Sequence, residues 1–99
     1  MDTQYVYAGQ RFRWNRDKAQ ANFKKHGIRF EQACEVFFDP FVRLADATAE
    51  DEAREAVIGL TEDWTLLFVV HVVRERGAIR VISARQATRA ERRIYEDHG

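Results

Sequence analysis

The chain has 99 residues, 45% of them hydrophobic and 12% aromatic, which suits one small domain with a modest core and excludes a disordered segment. Its one cysteine, Cys34, excludes an internal disulfide and favours a reducing compartment. No apolar run approaches the ~20 residues of a membrane helix, and the start of the chain lacks the pattern of a signal peptide. A cytoplasmic protein with no membrane contact is therefore expected.

The formal net charge is zero, but the charges are unevenly distributed. Lys/Arg and Asp/Glu number 7 and 2 in residues 1–30, a balance of +5; 2 and 10 in residues 31–70, a balance of −8; and 7 and 4 in residues 71–99, a balance of +3. A fold that brings the two basic ends together would have one basic face and one acidic face. The basic face would suit a phosphate-bearing polymer, above all RNA.

The chain begins with a predicted strand and helix. Residues 11–14 alternate charged and aromatic side chains, as in a short strand. A helix is predicted over residues 15–25, with an asparagine as its N-cap and with Ala19 and Phe23 as its core pair. Gly27 is a typical stop signal for this helix.

A second helix and an antiparallel meander follow. Residues 30–38 carry apolar side chains at helical spacing, and the helix is expected to end before Pro40. Residues 46–55 are an acidic connection without apolar periodicity. Four strands are predicted, over residues 41–45, 56–60, 64–73 and 78–84.

The last helix begins at a capping box formed by Thr88 and Glu91, and Ala90 and Ile94 are expected to face the core. The predicted fold is a single α+β domain. It has two N-terminal helices, a four-stranded antiparallel meander with a short additional N-terminal strand, and a C-terminal helix.

The turn over residues 74–77 sets the register of the last two strands. If Val73 pairs with Ala78, His71 lies opposite Arg80, and both side chains point to the same face. These side chains need a partner, because an isolated buried charge is costly. That partner is either a phosphate bound in a cleft or an acidic residue from the middle of the chain.

More basic residues surround this pair. Arg85 follows the last strand, and the final helix carries Arg89, Arg92, Arg93 and Tyr95. Clustered arginines can bind phosphates bidentately, and Tyr95 can stack on a base. The alternative is a solvated helix face with a half-buried tyrosine. Lys25 and His26 either reach the same cleft or cap the first helix.

Other chemistries have weaker support. His26, His71 and His98 lack the spacing of metal ligands, so no metal site is expected. No glycine-rich phosphate loop is present, and no cofactor is expected. Cys34 lies on an apolar helix face and is assigned to the core. Ser83 lies near His71 in the predicted hairpin but completes no Ser-His-Asp arrangement.

Two stretches resemble a known family. FRWNRDKAQANFKKHGIRFEQACEVFFDP resembles the start of BrnT-type toxins of bacterial type II toxin–antitoxin systems, and RVISARQATRAERRIYE resembles their C-terminal motif. The motifs KHGI-x-F-E-x-A and R-x-I-S-A-R-x-A-T-x-x-E-R-x-x-Y carry the resemblance, which spans residues 12–96. It implies a RelE-like toxin that cleaves RNA and stops translation. It also implies a BrnA antitoxin, a ribbon-helix-helix protein that forms a hetero-oligomer with the toxin and represses their operon.

The matching family positions are Lys25, His26, His71, Arg80, Ser83, Arg85, Arg89, Arg92 and Tyr95. The chain departs from the family at Arg29, where related sequences often have a small polar residue that can cap the second helix. The segment before Phe12 also exceeds the usual start of the family.

These observations suggest a metal-independent endoribonuclease, in which the RNA 2′-hydroxyl attacks the adjacent phosphorus. Arg80 and Arg85 would stabilise the charge that develops on the phosphate, while the arginines of the final helix position the backbone. His71 or His26 would act as acid or base, with Lys25 as an alternative. Two other hypotheses are a non-catalytic module that binds nucleic acid or a partner, and a regulatory subunit of a stable hetero-complex.

Overall fold

The computed structural model describes residues 1–47 and 54–97, which form one sheet with helices packed on it. The strands are β1 (Asp2–Tyr7), β2 (Gln10–Asn15), β3 (Arg43–Ala45), β4 (Glu55–Leu60), β5 (Leu66–Val73) and β6 (Ile79–Gln86). The helices are α1 (Arg16–His26), α2 (Phe30–Glu35) and α3 (Arg89–Glu96), with 3-10 turns at Val36–Phe38 and Glu75–Gly77. The predicted α+β class is confirmed. His98 and residues 48–53 of the predicted acidic connection lie outside the described residues.

The six strands lie in the order β1-β2-β6-β5-β4-β3. Strands β3 to β6 pair antiparallel in chain order. In contrast, β2 pairs with β6 in parallel, with Phe12 beside Ile79 and Arg13 beside Arg80. The sheet is therefore mixed and larger than the predicted meander. None of the helices in the described ranges is long and apolar enough to cross a membrane.

Strand β1 is absent from the predicted elements, although its side chains alternate between exposed and half-buried. It pairs antiparallel with β2, from Asp2 opposite Asn15 to Tyr7 opposite Gln10. The two-residue turn places Ala8 and Gly9 at φ +50° and +80°, which matches the twist of a hairpin. The N-terminal segment is therefore a strand at the edge of the sheet.

One side of the sheet, here called the helix face, is packed against α1 and α2. Its strands contribute buried side chains such as Phe12, Trp14 and Val69, and α2 contributes Phe30 and Cys34. Cys34 is fully buried, as predicted, and burial raises the pKa of its thiol above the ordinary range. This face contains the larger part of the core.

The opposite side, here called the open face, is covered only at one end within the described residues. There Tyr95 of α3 packs against Ile58 and Leu66. The rest of this face carries polar and charged side chains, including Arg13 on β2 and Arg85 on β6. The fold thus separates an apolar face that stabilises the sheet from a charged face that is accessible.

Helix α1 differs from its prediction in the side chain that it buries. Asn15 caps its start by accepting a hydrogen bond from the Lys18 amide at 3.0 Å, and Gly27 ends it in the left-handed conformation. Phe23 was expected in the core but is 50% exposed. The prediction was wrong because Asn22, one residue earlier, faces the sheet instead and is 8% exposed.

Asn22 acts as a strand partner for the edge of β6. Its amide group donates to the Ala84 carbonyl at 2.8 Å and its oxygen accepts from the Ala84 amide at 3.1 Å. It also donates to the Ile28 carbonyl at 3.1 Å. The pairing of β2 with β6 extends only to Arg80, so the Asn22 side chain satisfies backbone groups that no strand reaches.

Helix α2 is shorter than predicted, since residues 36–38 continue it as a 3-10 turn. The guanidinium of Arg29, at its N-cap, has only donors and cannot accept a bond from the first turn. Instead, Gln32 Oε1 accepts from the Arg29 amide at 2.9 Å. Strand β4 approaches the 3-10 turn closely at Gly59, where an added Cβ would lie 2.9 Å from the Val36 carbonyl oxygen.

Replacing Asn22 tests its bridging role. We expect Asn22→Ala to lower the free energy of unfolding by about 2–3 kcal/mol, because it leaves buried backbone groups of β6 without partners. The measurement is urea unfolding followed by circular dichroism. The control Gln20→Ala, on the exposed side of α1, should stay within about 0.5 kcal/mol of the parent. Equal stability of the two variants would contradict the assignment.

Candidate functional site

The register of β5 and β6 differs from the predicted one by one residue. The turn closes with a hydrogen bond from the Arg74 amide to the Ala78 carbonyl at 2.7 Å. His71 therefore lies opposite Val81, and Arg80 lies opposite Val72. Because a shift of one residue reverses the face of every side chain, His71 and Arg80 point to opposite sides of the sheet. The predicted pair facing one ligand is wrong.

His71 lies on the helix face and is only 4% exposed. Its ring meets Phe37 edge to face at 4.8 Å between centroids. Nε2 lies 3.6 Å from Glu55 Oε1, while Nδ1 has no hydrogen-bond partner among the described residues. Burial lowers the pKa of His71, so the imidazole is neutral at pH 7. It cannot touch a substrate directly, but it does contact Glu55.

The open face contains a groove of about 890 Å³ between the sheet and α3. Phe68, Val70 and Ser83 lie on the strands beneath it, since Val70 pairs with Ser83 and Phe68 with Arg85. The polar and charged lining residues are Asp46, Arg54, Glu55, Ser83, Arg85 and Glu91. Arg85, predicted as catalytic, and Ser83, a family position, therefore lie together in one groove.

Arg85 is held rigidly in this groove. Its guanidinium donates two hydrogen bonds to Glu91, at 2.7 and 2.9 Å, and lies 4.4 Å from the centroid of the Phe68 ring. Glu91 also accepts from the Thr88 amide at 2.9 Å, and Thr88 Oγ1 accepts from the Glu91 amide at 3.2 Å. The predicted capping box is thus confirmed. The Arg85 guanidinium lowers the pKa of Glu91, which keeps the pair charged at neutral pH.

Arg80 lies on the open face but does not line the groove. Its guanidinium donates two hydrogen bonds to Asp2, at 2.9 and 3.1 Å. Asp2 is on β1, so the arginine side chain extends across β2. Of the two predicted partners, the structure gives an acid, but from the N-terminal strand rather than from the middle of the chain.

Helix α3 presents Arg89, Arg92 and Arg93 to solvent. Arg92 lies 3.9 Å from Glu96, and neither Arg89 nor Arg93 forms an ion pair within the described ranges. Ile94, predicted to face the core together with Ala90, is 45% exposed and lines the rim of the groove. Ala90 is exposed as well. Both predictions were wrong because Tyr95, in the last turn, is the side chain that α3 buries against the sheet.

That packing is made by Tyr95, which is 8% exposed and so cannot stack on a base. Its hydroxyl donates to Asp39 Oδ2 at 2.6 Å. Asp39 also accepts from the amides of Leu60 at 2.8 Å and Phe41 at 2.9 Å. Burial alone would raise the pKa of Asp39, but these hydrogen bonds outweigh it and lower the pKa. Chiefly through burial, the pKa of Tyr95 rises to about 12.

Lys25 and His26 lie at the end of α1 and do not line the groove. They follow Asn22 by three and four residues, and Asn22 is bonded to Ala84. They therefore lie one helical turn, about 5.4 Å, beyond Asn22 on α1. His26 is half-buried and Lys25 is exposed. The structure thus keeps them on a helix of the helix face and does not bring them together with the groove residues.

Several groove residues were not predicted as site residues. Glu91 was noted only as a helix cap, and Phe68 only as part of an apolar strand. Glu55 was placed in a connection, although it is the first residue of β4, where it pairs with His71 at the edge of the groove. The sequence did indicate the role of Glu91. A glutamate that caps a helix six residues after an arginine can form an ion pair with that arginine.

Comparisons with known proteins match the chain to a family and to a solved structure. The family model described as "Ribonuclease toxin, BrnT, of type II toxin-antitoxin system" matches residues 14–91. Among solved structures, the chain is similar to the ribonuclease toxin BrnT of Brucella abortus. The two are 27% identical with a TM-score of 0.63, over 77% of this chain and 94% of that chain. No curated protein sequence matches the chain. The family match leaves residues 1–13 outside it.

The Tyr95–Asp39 hydrogen bond gives a pH-dependent prediction. A carboxyl whose pKa is lowered by folding stabilises the fold above its unfolded pKa of about 3.9, and this contribution is lost as the pH falls through the folded value. We expect Tyr95→Phe to lower the free energy of unfolding by about 1–2 kcal/mol at neutral pH, and less in acid.

The measurement is urea unfolding of both proteins at neutral pH and at about pH 3. Ile94→Ala on the same helix is the control, and its effect should not depend on pH. An effect of Tyr95→Phe that is equally large at both pH values would show that the charged hydrogen bond is not its cause.

Proposed function

The chain belongs to the BrnT family of ribonuclease toxins of type II toxin–antitoxin systems, and from this premise we propose that RNA is cut in the groove of the open face. The observation that carries the proposal is Arg85, a cation whose orientation is fixed by Glu91 on one side and Phe68 on the other. A donor fixed before the reaction stabilises developing charge without reorganising. The guanidinium has further N–H groups that can donate to a phosphate.

The proposed reaction needs no external reactant. The 2′-oxygen of the RNA attacks the adjacent phosphorus and the bond from phosphorus to the 5′-oxygen breaks. The products are a 2′,3′-cyclic phosphate and a 5′-hydroxyl. One group takes the 2′ proton and another gives a proton to the 5′-oxygen. We propose that this occurs without a metal ion, with Arg85 and the Ser83 hydroxyl donating hydrogen bonds to the phosphate.

The candidate residues for proton transfer differ in how close they lie to the groove. Glu55 is among the residues at the edge of the groove, 59% of its side chain is exposed, and its carboxylate lies 3.6 Å from buried His71, its partner across β4 and β5. We assign the base to Glu55, with His71 as a positioning residue. His26, half-buried in the last turn of α1 on the helix face, is assigned as the acid, with Lys25 as the alternative. Both can approach the leaving oxygen only if the RNA extends past Arg85.

The cations around the groove are assigned to the RNA backbone. Arg89, Arg92 and Arg93 lie exposed on α3, where they can bind phosphates without disturbing the core. Tyr95, predicted to contact RNA, is assigned to holding α3 instead, because it is buried against the sheet. Arg80 is assigned to the backbone rather than to the reacting phosphate, since it lies outside the groove.

We propose further that the toxin arrests translation and is neutralised by a BrnA-like ribbon-helix-helix antitoxin, which joins it to operator DNA in a hetero-oligomer. The resemblance of the motifs supports this partner. So does a second groove, of about 310 Å³, beside Trp64 and Phe41. These side chains are 80% and 60% exposed, and exposed aromatic side chains are typical of protein interfaces.

The central test is the cleavage of total RNA in the presence of EDTA. We expect cleavage by the parent protein, and a loss of about 10²–10³ in rate for Arg85→Ala. Arg85→Lys separates charge from geometry, since lysine cannot make the bidentate contact with Glu91. The control is Arg29→Ala, at the start of α2 on the other side of the sheet. Circular dichroism verifies that each variant is folded.

The same assay tests the proton-transfer groups. Glu55→Gln and His26→Gln should each reduce the rate by about 10² or more, whereas Glu75→Gln in the turn after β5 should not. Full activity of Arg85→Ala would overturn the location of the site. Intact RNA with the parent protein, together with tight binding to an antitoxin, would favour a binding module over a metal-independent enzyme.

A further inference from the structure

The N-terminal hairpin carries a group of cations that the proposed site does not use. Residues 1–13 lie outside the family match, and they include all of β1 and most of β2. On β2, Phe12 and Trp14 are buried on the helix face, so Arg11 and Arg13 point to the open face, where both are exposed.

The register of the sheet places these arginines beside Arg80. Arg13 and Arg80 are direct neighbours on parallel strands, which are about 4.8 Å apart, and paired residues share a face. Arg11 precedes Arg13 by two residues, or about 6.6 Å along the strand. The ion pair between Arg80 and Asp2 crosses β2 at this point, which confirms that Arg80 lies on the open face.

Arg11, Arg13 and Arg80, here called the arginine strip, continue the open face beyond the groove. Arg85 follows Arg80 on the same strand by five residues, or about 16 Å, and both lie on the open face because the register shifts between Val70 and His71 at a bulge in β6. None of the helices in the described residues packs on this part of the face, and Val6 of β1 is 63% exposed there. Nothing in residues 1–47 and 54–97 therefore separates the groove from the strip, and a chain that occupies the one can extend over the other.

We propose that the arginine strip binds the phosphates of single-stranded RNA next to the segment held in the groove. This inference rests on the proposed function, since it adds a second binding site for the same substrate. Arginines bind phosphate bidentately, and a flat strand face suits an extended single strand. Two of its three members, Arg11 and Arg13, lie on the N-terminal hairpin outside the region matched by the family, whereas Arg80 lies within that region.

Asp2 has a defined part in this proposal. Its carboxylate occupies the Arg80 donors that a phosphate would use, at 2.9 and 3.1 Å. The pair is partly exposed, with 22% of the Arg80 side chain and 44% of the Asp2 side chain accessible, and exposed ion pairs are weak. A phosphate can therefore displace Asp2, and removing its charge should strengthen RNA binding.

The experiment measures the binding of 2′-O-methyl oligoribonucleotides, which cannot be cleaved because the attacking hydroxyl is blocked. Anisotropy titrations of a 12-mer and a 4-mer with the full chain are repeated at several salt concentrations. Each phosphate contact to a single strand contributes about 0.7 to the slope of log K against log salt, or about fivefold in affinity at 0.1 M salt.

We expect Arg11→Gln/Arg13→Gln to lower the slope for the 12-mer by about 1.4, for two lost contacts. The 4-mer, which only fills the groove, should bind this variant and the parent equally. Asp2→Asn should tighten binding of the 12-mer. The matched control Arg29→Gln, an exposed arginine at the start of α2, should leave both oligonucleotides unaffected.

An unchanged slope and affinity of the double variant for the 12-mer would overturn the proposal. So would loss of antitoxin binding with RNA binding intact, which would make the strip a protein interface. The result of this binding experiment can be distinguished from the result of the cleavage assay that tests the proposed function. A parent that cleaves RNA while the strip variants bind normally refutes the strip alone. A parent that binds through the strip but cleaves nothing supports the strip and refutes the catalytic assignment.

Discussion

The ion pair between Arg85 and Glu91 is the interaction on which the open face depends. It joins β6 to the first turn of α3, and the same carboxylate accepts the Thr88 amide that begins the helix. A helix of eight residues is marginal on its own, so its position must come from such contacts. The second contact is the hydrogen bond of Tyr95 with Asp39 at the other end. Between these two anchors, α3 forms one wall of the groove and holds its arginines at the rim.

The two faces of the sheet have different roles: the helix face stabilises the fold and the open face carries the charged groove. Its helix face packs Phe12, Trp14 and the side chains of α2 into the main core. Because that face supplies most of the burial, the open face can carry charges that would otherwise be costly. His71 lies at the boundary between the two faces. Its ring is buried against Phe37, and its Nε2 lies 3.6 Å from Glu55 at the edge of the groove. A buried imidazole can thus influence the groove without entering it.

Sequence patterns predicted the features that depend on local chemistry. The caps at Asn15, Gly27 and Thr88 are confirmed, because each acts on backbone groups within four residues. The predicted pairing of His71 with Arg80 was wrong. The 3-10 turn Glu75–Gly77 moves the register of β5 and β6 by one residue, and no local sequence pattern indicates that shift.

Asn22 was missed for a related reason. A polar residue at a core position has a role only when the strand edge opposite it lacks a partner, and that is a property of the assembled sheet. The same holds for Asp2, which meets Arg80 across 78 residues of chain. The candidate site was therefore predictable in composition, through Arg85, Ser83 and the arginines of α3, but not in which side chains face one another.

The most direct test of the account is to map where a non-cleavable RNA contacts the sheet. Amide chemical shifts are followed during titration of the protein with a 2′-O-methyl oligoribonucleotide. We expect shifts centred on Phe68, Ser83 and Arg85, extending along the open face toward Arg13. Shifts confined to α2 and the helix face, with the groove unperturbed, would contradict it.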